Sequence, residues 1–339
     1  MNHTLINNAG ILAYQGSVSG LKAFDGLLST VDANQSIDNI LLDTDLAWKM
    51  SKTEIAAVNP DGISDPSISE KHSGVWATHE LTGETQFTES IVGRESFTFT
   101  QNREVIEQLW QLVNAGLLVP TFAGSIDRHT KAFMHFHAGD AYEIDGDPHQ
   151  KGFIATWAHD GSGALNFRPM VHRLFCLNQV PMGRFYQGSA PAVISIKHTK
   201  AATWKMATVA RQIAESLDQM EAYDRFMGQA IERLITGKQF NQFVERLIPI
   251  DPKIADKPEH LLSTGEKRSR TIAENKRAAV RDIYMHSATQ SNLFGTAAGA
   301  YHAAVEAFDH RFTGNRGRRL LLGQDEAFKA TAADLALAL

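Results

Sequence analysis

The sequence predicts an α+β protein in which antiparallel β-hairpins form a sheet with packed helices, followed by a mainly helical C-terminal portion. Three observations favour this fold class. Helical periodicity marks residues 100–116, two hairpin patterns follow between residues 120 and 180, and amphipathic helical patterns dominate after residue 200. We expect an α+β core over residues 1–200 and a helical portion over residues 201–339, with a soft boundary that also allows a single domain.

The first hundred residues contain fewer regular patterns. Short helices are predicted within "GLKAFDGLLSTV" and "SIDNILLDTDLAWKM", and a loop is predicted at "NPDGISDP" from its proline, glycine and aspartate content. Residues 51–93 are polar and turn-rich, and they end in a turn and strand at "TGETQFTESIVG". The first strong helix is "TQNREVIEQLWQLVNAG", with Thr100 or Asn102 as its N-cap and Gly116 at its end.

Strand patterns dominate from Pro120 to His198. "TFAGSIDRHTKAFMHFHA" predicts one hairpin, and "GFIATWAHDGSGALNF" predicts a second, with "HDGSG" at its turn and "MVHRLFCLNQ" continuing its second arm. Pro169 in that arm predicts a bulge or a sheet edge, because proline has no N–H for a strand ladder. "AVISIKHT" predicts one more strand.

The remainder of the chain is helical in pattern. "KAATWKMATVARQIAESLDQMEAYDRFMGQAIERLI" predicts one amphipathic helix of about 30 residues with heptad character. A linker with three prolines, a basic helix at "TIAENKRAAVRDIYMHS" and a helix at "SNLFGTAAGAYHAAVEAFDHRF" follow. In the last of these, Phe294 belongs to the predicted apolar face, and Gly295 and Gly299 allow a neighbouring element to approach closely. An alanine-rich helix ends the chain.

The composition excludes several classes of protein. The 339 residues are 43% hydrophobic and 21% charged, which is typical of a soluble globular protein. No stretch approaches the roughly 18 apolar residues of a membrane span, and the N-terminus lacks the blocks of a signal peptide. One cysteine excludes an internal disulfide. We therefore expect a cytoplasmic protein with no membrane partner.

Charge is distributed unevenly along the chain. The net charge is -5, but residues 1–150 carry 8 basic and 20 acidic residues, whereas residues 151–320 carry 24 basic and 15 acidic ones. A basic second half is expected of a protein that meets a polyanion. It is equally expected of two oppositely charged parts of one chain that attract each other. Both interpretations stay open.

The segment "MHFHAGD" is a candidate metal site. His135 and His137 share one face of a strand, Asp140 follows in the next turn, and His149 or His159 could supply a third nitrogen. A strong metal motif needs four ligands at known spacing, and the 14 histidines of this chain make chance pairs common. We therefore expect solvent-facing strand histidines, no bound metal and no other cofactor.

Cys176 is a candidate nucleophile, with His198 or His159 as its base and Asn178 as an orienting amide. It lies, however, between two large apolar residues. A cysteine in apolar surroundings has a raised pKa and is inert, so we expect it to pack in the core. The sequence therefore assigns no catalytic residue.

Cationic side chains form a second kind of candidate site, on the second hairpin arm and where the last strand meets the long helix. We expect these residues to bind nucleic-acid phosphates: Arg168, Arg173, Lys197, His198, Lys200 and Lys205. Three aromatic residues could stack on bases beside them: Phe167, Tyr186 and Trp204.

Arg173 also allows a structural interpretation. A regular strand aims it at an apolar face, and a buried guanidinium must be paired, with Asp160 as its predicted partner. The basic segments "EKRSRTIAENKRAAVRD" and "RGRR" are either solvated faces or phosphate contacts. No Walker motif, Rossmann fingerprint or helix-turn-helix pattern is present in the sequence, so nucleotide hydrolysis and operator recognition are not favoured.

Several segments together resemble a known family. "DTDLAWKM", "VGRESFTFTQNREVIEQLWQLVNAG", "FAGSIDRHTKAFMHF", "HDGSGALNFRPMVHRLFCLNQ", "ISIKHT" and "GTAAGAYHAAVEAFDH" occur in the order typical of the phage/plasmid-like DUF932 family, roughly from Leu42 to His310. The resemblance implies a mobile element in a bacterial cytoplasm, without implying an activity. The polar positions that match, as structural or site motifs, include His159, Asp160, Asn178, Asp309 and His310.

The leading hypothesis is a non-enzymatic DNA-binding protein of a mobile element. It would bind or anneal single strands in recombination or replication, as a homo-oligomer assembled through the long helix. One alternative is a hydrolase or nuclease that uses His159, Asp160 and His198 with a metal or as a general base, although only one carboxylate is near. Another is a structural or counter-defence interaction protein whose acidic first half mimics nucleic acid.

Overall fold

The computed structural model describes residues 29–57, 67–174, 178–181, 193–196, 206–312 and 326–339. These residues form two antiparallel sheets and a series of helices that lie mostly in the second half of the chain. The α+β fold class is therefore confirmed. The predicted helix at "GLKAFDGLLSTV" and the loop at "NPDGISDP" lie almost wholly outside the described residues.

The strands belong to a small sheet and a large sheet. The small sheet has the order β2-β3-β4, with β2 (Trp48–Ala57), β3 (Ser67–His79) and β4 (Thr85–Gly93). The large sheet runs β1-β5-β6-β8-β9-β10, with a short strand beside β8 and another beside β9. Its strands are β1 (Ser29–Thr30), β5 (Val119–Ile126), β6 (Lys131–His137), β7 (Tyr142–Ile144), β8 (Asp147–Ala158), β9 (Leu165–Arg173), β10 (Asn178–Pro181) and β11 (Ile194–Ile196).

Two helices lie among the strands and the others follow them. The first pair is α1 (Ile37–Asp43) and α2 (Asn102–Asn114). The C-terminal helices are α3 (Met206–Gln219), α4 (Glu221–Glu232), α5 (Gly237–Leu247), α6 (Pro252–Ala255), α7 (Thr264–His286), α8 (Ala297–His310) and α9 (Glu326–Leu337). No described helix is both long enough and apolar enough to cross a lipid bilayer.

Strands β2 and β3 correct the prediction for residues 51–93. That region reads as turn-rich because one face of the small sheet is exposed and carries polar residues such as Lys49 and Ser51. Side chains that alternate with these along the strands point to the other face, which is buried in a small separate core against which Phe97 and Phe99 pack. The helix predicted to extend to Met50 ends at Asp43, because the alternation of buried and exposed residues from Trp48 onward belongs to a strand.

Helix α2 joins the two sheets through its first residue. The Nδ2 of Asn102 donates to the carbonyl oxygens of Leu46 and Trp48, and its Oδ1 accepts from Trp157 Nε1 at 2.8 Å. The N-cap is Gln101 rather than Thr100 or Asn102, and its backbone N–H donates to Glu104. Asn102 thus braces the sheets, while Gly116 ends the helix at a φ of 71°, as predicted.

Both predicted hairpins are confirmed in the large sheet. Strands β5 and β6 form the first, and β8 and β9 form the second in an uninterrupted register from His149↔Arg173 to Thr156↔Asn166. On its other side, β9 pairs with β11 up to Phe167 and with β10 from Met170. Pro169 therefore lies at the break between these two edge partners, where no N–H is required, and the predicted bulge against β8 does not occur.

The predicted helix of about 30 residues is two helices in the structure. It breaks at Met220, between α3 and α4, and ends before Leu234, which is 79% exposed. The apolar stripe is nevertheless real, because Ile213, Met220 and Met227 are buried in the same core as the large sheet. These residues of the stripe therefore pack inside the chain, and self-assembly through the long helix stays a prediction.

The C-terminal helices contribute to one core with the large sheet. Buried residues of α4, α5, α7, α8 and α9 pack in a single apolar cluster with those of β6, β8 and β9. Gly299 allows the predicted close approach, because a Cβ there would lie 2.3 Å from the carbonyl oxygen of Leu293. Gly295 instead adopts a φ of 85°, and Phe294 is 54% exposed rather than part of an apolar face. The alanine-rich final helix is confirmed.

Candidate functional site

The most concentrated polar site is a buried cluster where β8 and β9 meet the C-terminal helices. Arg173 is fully buried, and its guanidinium forms a fork with Asp147, with Nε 2.8 Å from Oδ2 and Nη2 2.8 Å from Oδ1. Its Nη1 donates to the carbonyl oxygen of Thr289 at 2.7 Å, and Nη2 also donates to Asn292 Oδ1 at 2.9 Å. We call these four residues the arginine hub.

The hub corrects two predictions for Arg173. Its acidic partner is Asp147 and not Asp160. His149 lies opposite Arg173 in the sheet register, and Asp147, two residues before His149 on β8, is on the same face. A guanidinium with no exposed surface and donors directed at a carboxylate, an amide and a carbonyl does not reach a phosphate in solvent. Arg173 is therefore a structural cation that fastens the sheet to the segment before α8.

A second layer of polar groups supports the hub. Glu306 of α8 accepts hydrogen bonds from the hydroxyl of Thr289 at 2.6 Å and from Gln290 Nε2 at 2.7 Å. Asn292 in turn donates its Nδ2 to Asp147 Oδ1 at 2.9 Å. The loop between α7 and α8 is thus held on both sides, by the sheet through Arg173 and by α8 through Glu306.

Two histidines lie against the hub carboxylate. His149 of β8 and His302 of α8 are both fully buried, and one ligand atom from each lies within 4.8 Å of an Asp147 oxygen and of the other histidine. The hydroxyl of Tyr223 on α4 is 3.3 Å from His302 Nε2. Among the described residues, Asp147, His149 and His302 are the group whose composition and spacing could hold a metal ion.

Burial shifts the pKa values of two histidines and one tyrosine at this site in the direction that favours their neutral forms. It lowers the pKa of His149, although Asp147 acts in the opposite direction, and burial together with Arg173 lowers the pKa of His302 well below its usual value. Burial raises the pKa of the Tyr223 phenol well above its usual value. At neutral pH the site therefore offers two neutral imidazoles, a phenol and one carboxylate.

The strand histidines of "MHFHAGD" lie on the opposite face of the large sheet. His135 and His137 share a face as predicted, but they are 1% and 8% exposed, so the prediction that they face solvent is wrong. The reason is that β6 is an interior strand buried on both faces. His149 lies on the other face, beside Arg173, and His159 is held by Asn102, so neither completes a site with them.

His135 has another histidine as its partner. Its Nε2 is 2.7 Å from His172 Nε2, and its Nδ1 is 2.5 Å from the hydroxyl of Thr121, which forms a buried chain of hydrogen bonds across the sheet. Gly152 on the strand between them leaves room, since a Cβ there would lie 3.3 Å from His135 Nε2. Burial lowers the pKa of His135 well below its usual value and that of His172 to about 3, with like-charge effects of neighbouring histidines added.

The "HDGSG" turn closes its hairpin by local contacts. His159 is fully buried, and its Nε2 is 2.8 Å from Asn102 Oδ1. Asp160 accepts a hydrogen bond from the backbone of Ser162 at 2.9 Å and pairs with Lys131 at 3.1 Å. Although partial burial opposes ionisation, these contacts lower the pKa of Asp160. The two residues are engaged in different directions and do not converge on one reaction centre.

The other predicted site residues are dispersed. Arg168 is 16% exposed, lies 3.8 Å from Glu326 and lines a cleft of about 170 Å³ together with Lys131 and Asn166. Asp309 forms a buried ion pair with Lys329 at 2.8 Å, and His310 lies half-buried at the end of α8. Asn178 is described only as the first residue of β10.

The remaining predicted residues cannot be placed in this geometry. Five polar or cationic residues and two aromatic ones lie outside the described residues: Cys176, Lys197, His198, Lys200, Lys205, Tyr186 and Trp204. Phe167, the third predicted stacking residue, is fully buried in the core, so it does not present a face to a base.

The basic helix of the sequence begins earlier than predicted. Helix α7 starts after Ser263, which accepts a hydrogen bond from Glu266 N, so its first two turns fall within the predicted linker. It carries six basic and three acidic side chains, and its buried residues, Val280, Ile283 and Tyr284, are confined to its second half. We call residues 264–276 the basic arm, because none of them is fully buried and only Ala273 packs against the apolar core.

Comparison with known proteins gives one match. Residues 90–332 match the family described as domain of unknown function DUF932. The chain belongs to the DUF932 family. No curated protein and no solved structure matches it. The resemblance stated from the sequence motifs is therefore confirmed, and the family description assigns no activity to this DUF932 protein.

Sequence reasoning missed Asp147 and His302 of this candidate site, and it named His149 only as a partner for His135 and His137. A usable signal existed for the first two, since a turn centred on Gly161 pairs Arg173 with His149 and places Asp147 on the same face. No local signal pointed to His302, because it reaches this DUF932 cluster from a helix more than a hundred residues further along the chain.

Proposed function

We propose that this DUF932 protein binds DNA through phosphate contacts along the basic arm. The observation that carries the proposal is the pair Lys267 and Arg268, whose side chains are exposed and make no hydrogen bond or ion pair with any described residue. Lys267 also lines a polar cleft of about 480 Å³ with Lys257 and Arg270. Cations left unpaired beside such a cleft are positioned to neutralise phosphates and release their counterions.

The contrast with the rest of α7 supports this choice of surface. Arg277 donates to the carbonyl oxygen of Ile248, and Arg281 donates to Asn241, so both fasten α7 to α5. Lys276 lies over the ring of Phe312. Because Lys276, Arg277 and Arg281 contact other parts of the fold, the basic-arm cations Lys267 and Arg268 are the better candidates for contact with a partner.

Single-stranded DNA is the form that we favour. Leu261 and Ile272 are 57% and 45% exposed, next to the cations of the basic arm. Their apolar surface suits the faces of unstacked bases, which a duplex keeps inside its helix. With Phe167 buried, this apolar surface takes the place of one of the predicted aromatic contacts.

A hydrolytic function is not proposed. The sequence offered His159, Asp160 and His198 for it, but His159 and Asp160 bond to Asn102 and Lys131, and His198 lies outside the described residues. No observation favours the interaction-protein alternative over DNA binding.

The experiment is a fluorescence anisotropy titration of single- and double-stranded oligonucleotides at about 50 mM and 200 mM salt. The wild-type protein should bind the single strand more tightly and lose affinity as salt rises. The double variant K267E/R268E should weaken binding roughly tenfold or more and reduce the slope of log affinity against log salt by about one to two.

The matched control is K49E/K71E, which changes net charge equally at exposed lysines of the small sheet. It should leave affinity close to that of the wild type. Equal losses in the two double variants, or no salt-dependent binding by the wild-type protein, would refute the proposed surface.

A further inference from the structure

His149 carries an unprotonated nitrogen in a buried place. Its Nδ1 is 2.8 Å from the backbone carbonyl oxygen of Asp147, which can only accept, so the ring proton resides on Nδ1. Its Nε2 therefore presents a lone pair, and no described residue donates a hydrogen bond to it. The side chain is fully buried, so bulk water does not satisfy this atom either.

The atom facing this lone pair is also an acceptor. Nε2 of His149 is 3.4 Å from Asp147 Oδ2, which accepts a hydrogen bond from Arg173 Nε. Two electron-rich atoms at this distance repel each other unless a positive charge or a donor lies between them.

We propose that Asp147, His149 and His302 bind one divalent transition-metal ion of the zinc type. The ligand atoms lie within 4.8 Å of one another, and imidazole nitrogen with carboxylate oxygen is a donor set that zinc accepts. The hydrogen bond from His149 Nδ1 to a backbone carbonyl is the second contact that metal-binding histidines make, because it fixes the ring and its tautomer. The hydroxyl of Tyr223 lies beside these ligands, 3.3 Å from His302 Nε2.

The positive charge of Arg173 disfavours a bound cation here, and the negative charges of neighbouring acidic residues reduce that effect. Of the five hydrogen bonds that the guanidinium makes within the hub, only the one from Nε reaches Oδ2, and that oxygen lies 3.4 Å from His149 Nε2. Glu306 accepts from the Thr289 hydroxyl, and Asp224 pairs with Lys151 beside this face. The ion would be structural, because its ligands are fully buried and join β8 to α8.

The test measures metal binding by the full-length protein. After chelation, the wild-type protein is titrated with Co²⁺, and the visible absorption of coordinated Co²⁺ should saturate at one ion per chain. Zn²⁺ should displace Co²⁺ and should raise the thermal unfolding midpoint of the chelated protein. A wild-type protein that binds no stoichiometric Co²⁺ overturns the proposal, and this result does not depend on any variant.

Two histidine variants locate the site. H302A should weaken Co²⁺ binding by at least roughly 100-fold, because a directly bound ligand is lost. The matched control H260A removes an exposed histidine of the region before α7 and should bind as the wild type does. Equal binding by the two variants would place the ion on the surface and would overturn the assignment. DNA binding by the basic arm is measured separately, so either proposal can fail alone.

Discussion

Arginines in the hub and on the basic arm have the same side chain and opposite surroundings. Arg173 is fully buried and directs its donors at Asp147, Asn292 and Thr289. The side chain of Arg268 is exposed and makes no hydrogen bond or ion pair with a described residue, while its neighbour Arg270 pairs with Glu274 at 3.0 Å. The comparison teaches that the basic second half of the sequence combines cations that hold the fold with cations that are free for a partner.

The largest expected effect is at the hub. R173A leaves Asp147 ionised and buried without its guanidinium, and breaking a buried pair in this way costs about 3–5 kcal/mol. We expect the free energy of unfolding, measured by urea denaturation, to fall by that amount. R173K should recover only part of the loss, because an ammonium group cannot make the same fork. A loss below about 1 kcal/mol would show that the hub is not structural.

The second largest expected effect is the dependence of folding stability on pH that the buried histidines cause. Because the pKa of His172 is lowered to about 3 and that of His135 is also lowered, the unfolded chain binds more protons than the folded one below the ordinary pKa of about 6.5. The contribution of these histidines to the free energy of unfolding should therefore be fully present above that pH. It should fall as pH decreases, by at most about 1.4 kcal/mol per pH unit for each histidine. His137 and Lys329 face the pair and reinforce this direction.

The measurement is the free energy of unfolding between about pH 6.5 and pH 4.5. H172Q removes one titrating group and should give a shallower dependence on pH than the wild type. H286A, at an exposed histidine of α7, should leave the dependence unchanged. The interpretation fails if H172Q and the wild-type protein lose stability in parallel.

The smallest effect is on the basic arm itself. R270A removes an ion pair with Glu274, four residues further along the helix, and a long hydrogen bond to the Lys257 carbonyl; such a helix pair contributes about 0.3–0.5 kcal/mol. Thermal unfolding should show almost no change. A loss as large as that of R173A would mean that the basic arm is part of the folded core and would weaken its assignment to DNA binding.

Local patterns predicted those parts of the fold in which neighbouring residues decide the structure. The turn residues of "HDGSG" and the apolar stripe of α2 depend on short-range chemistry, and both elements are confirmed. The exposed face of β2 and β3 concealed a sheet, because its polar residues resemble a loop. The break at Met220 was not predictable from heptad spacing, which continues through it.

The sites were less predictable than the fold. Arg173 was recognised as a cation on an apolar face, but its partners Thr289 and Asn292 lie 116 and 119 residues further along the chain. Contacts at such separation depend on how helices pack on the sheet, and no local pattern encodes them. The buried His135–His172 pair was missed because burial of β6 on both faces depends on its interior position in the sheet.

The long separation between Arg173 and Thr289 has a consequence for the growing polypeptide. The β8–β9 hairpin can form as soon as Arg173 has left the ribosome, and Asp147 is then already present. The remaining donors of the guanidinium must stay in contact with water until 116 more residues are made, on the order of ten seconds at cellular elongation rates. The guanidinium donor that contacts Thr289 therefore has no protein partner in the hub until the segment before α8 has been made.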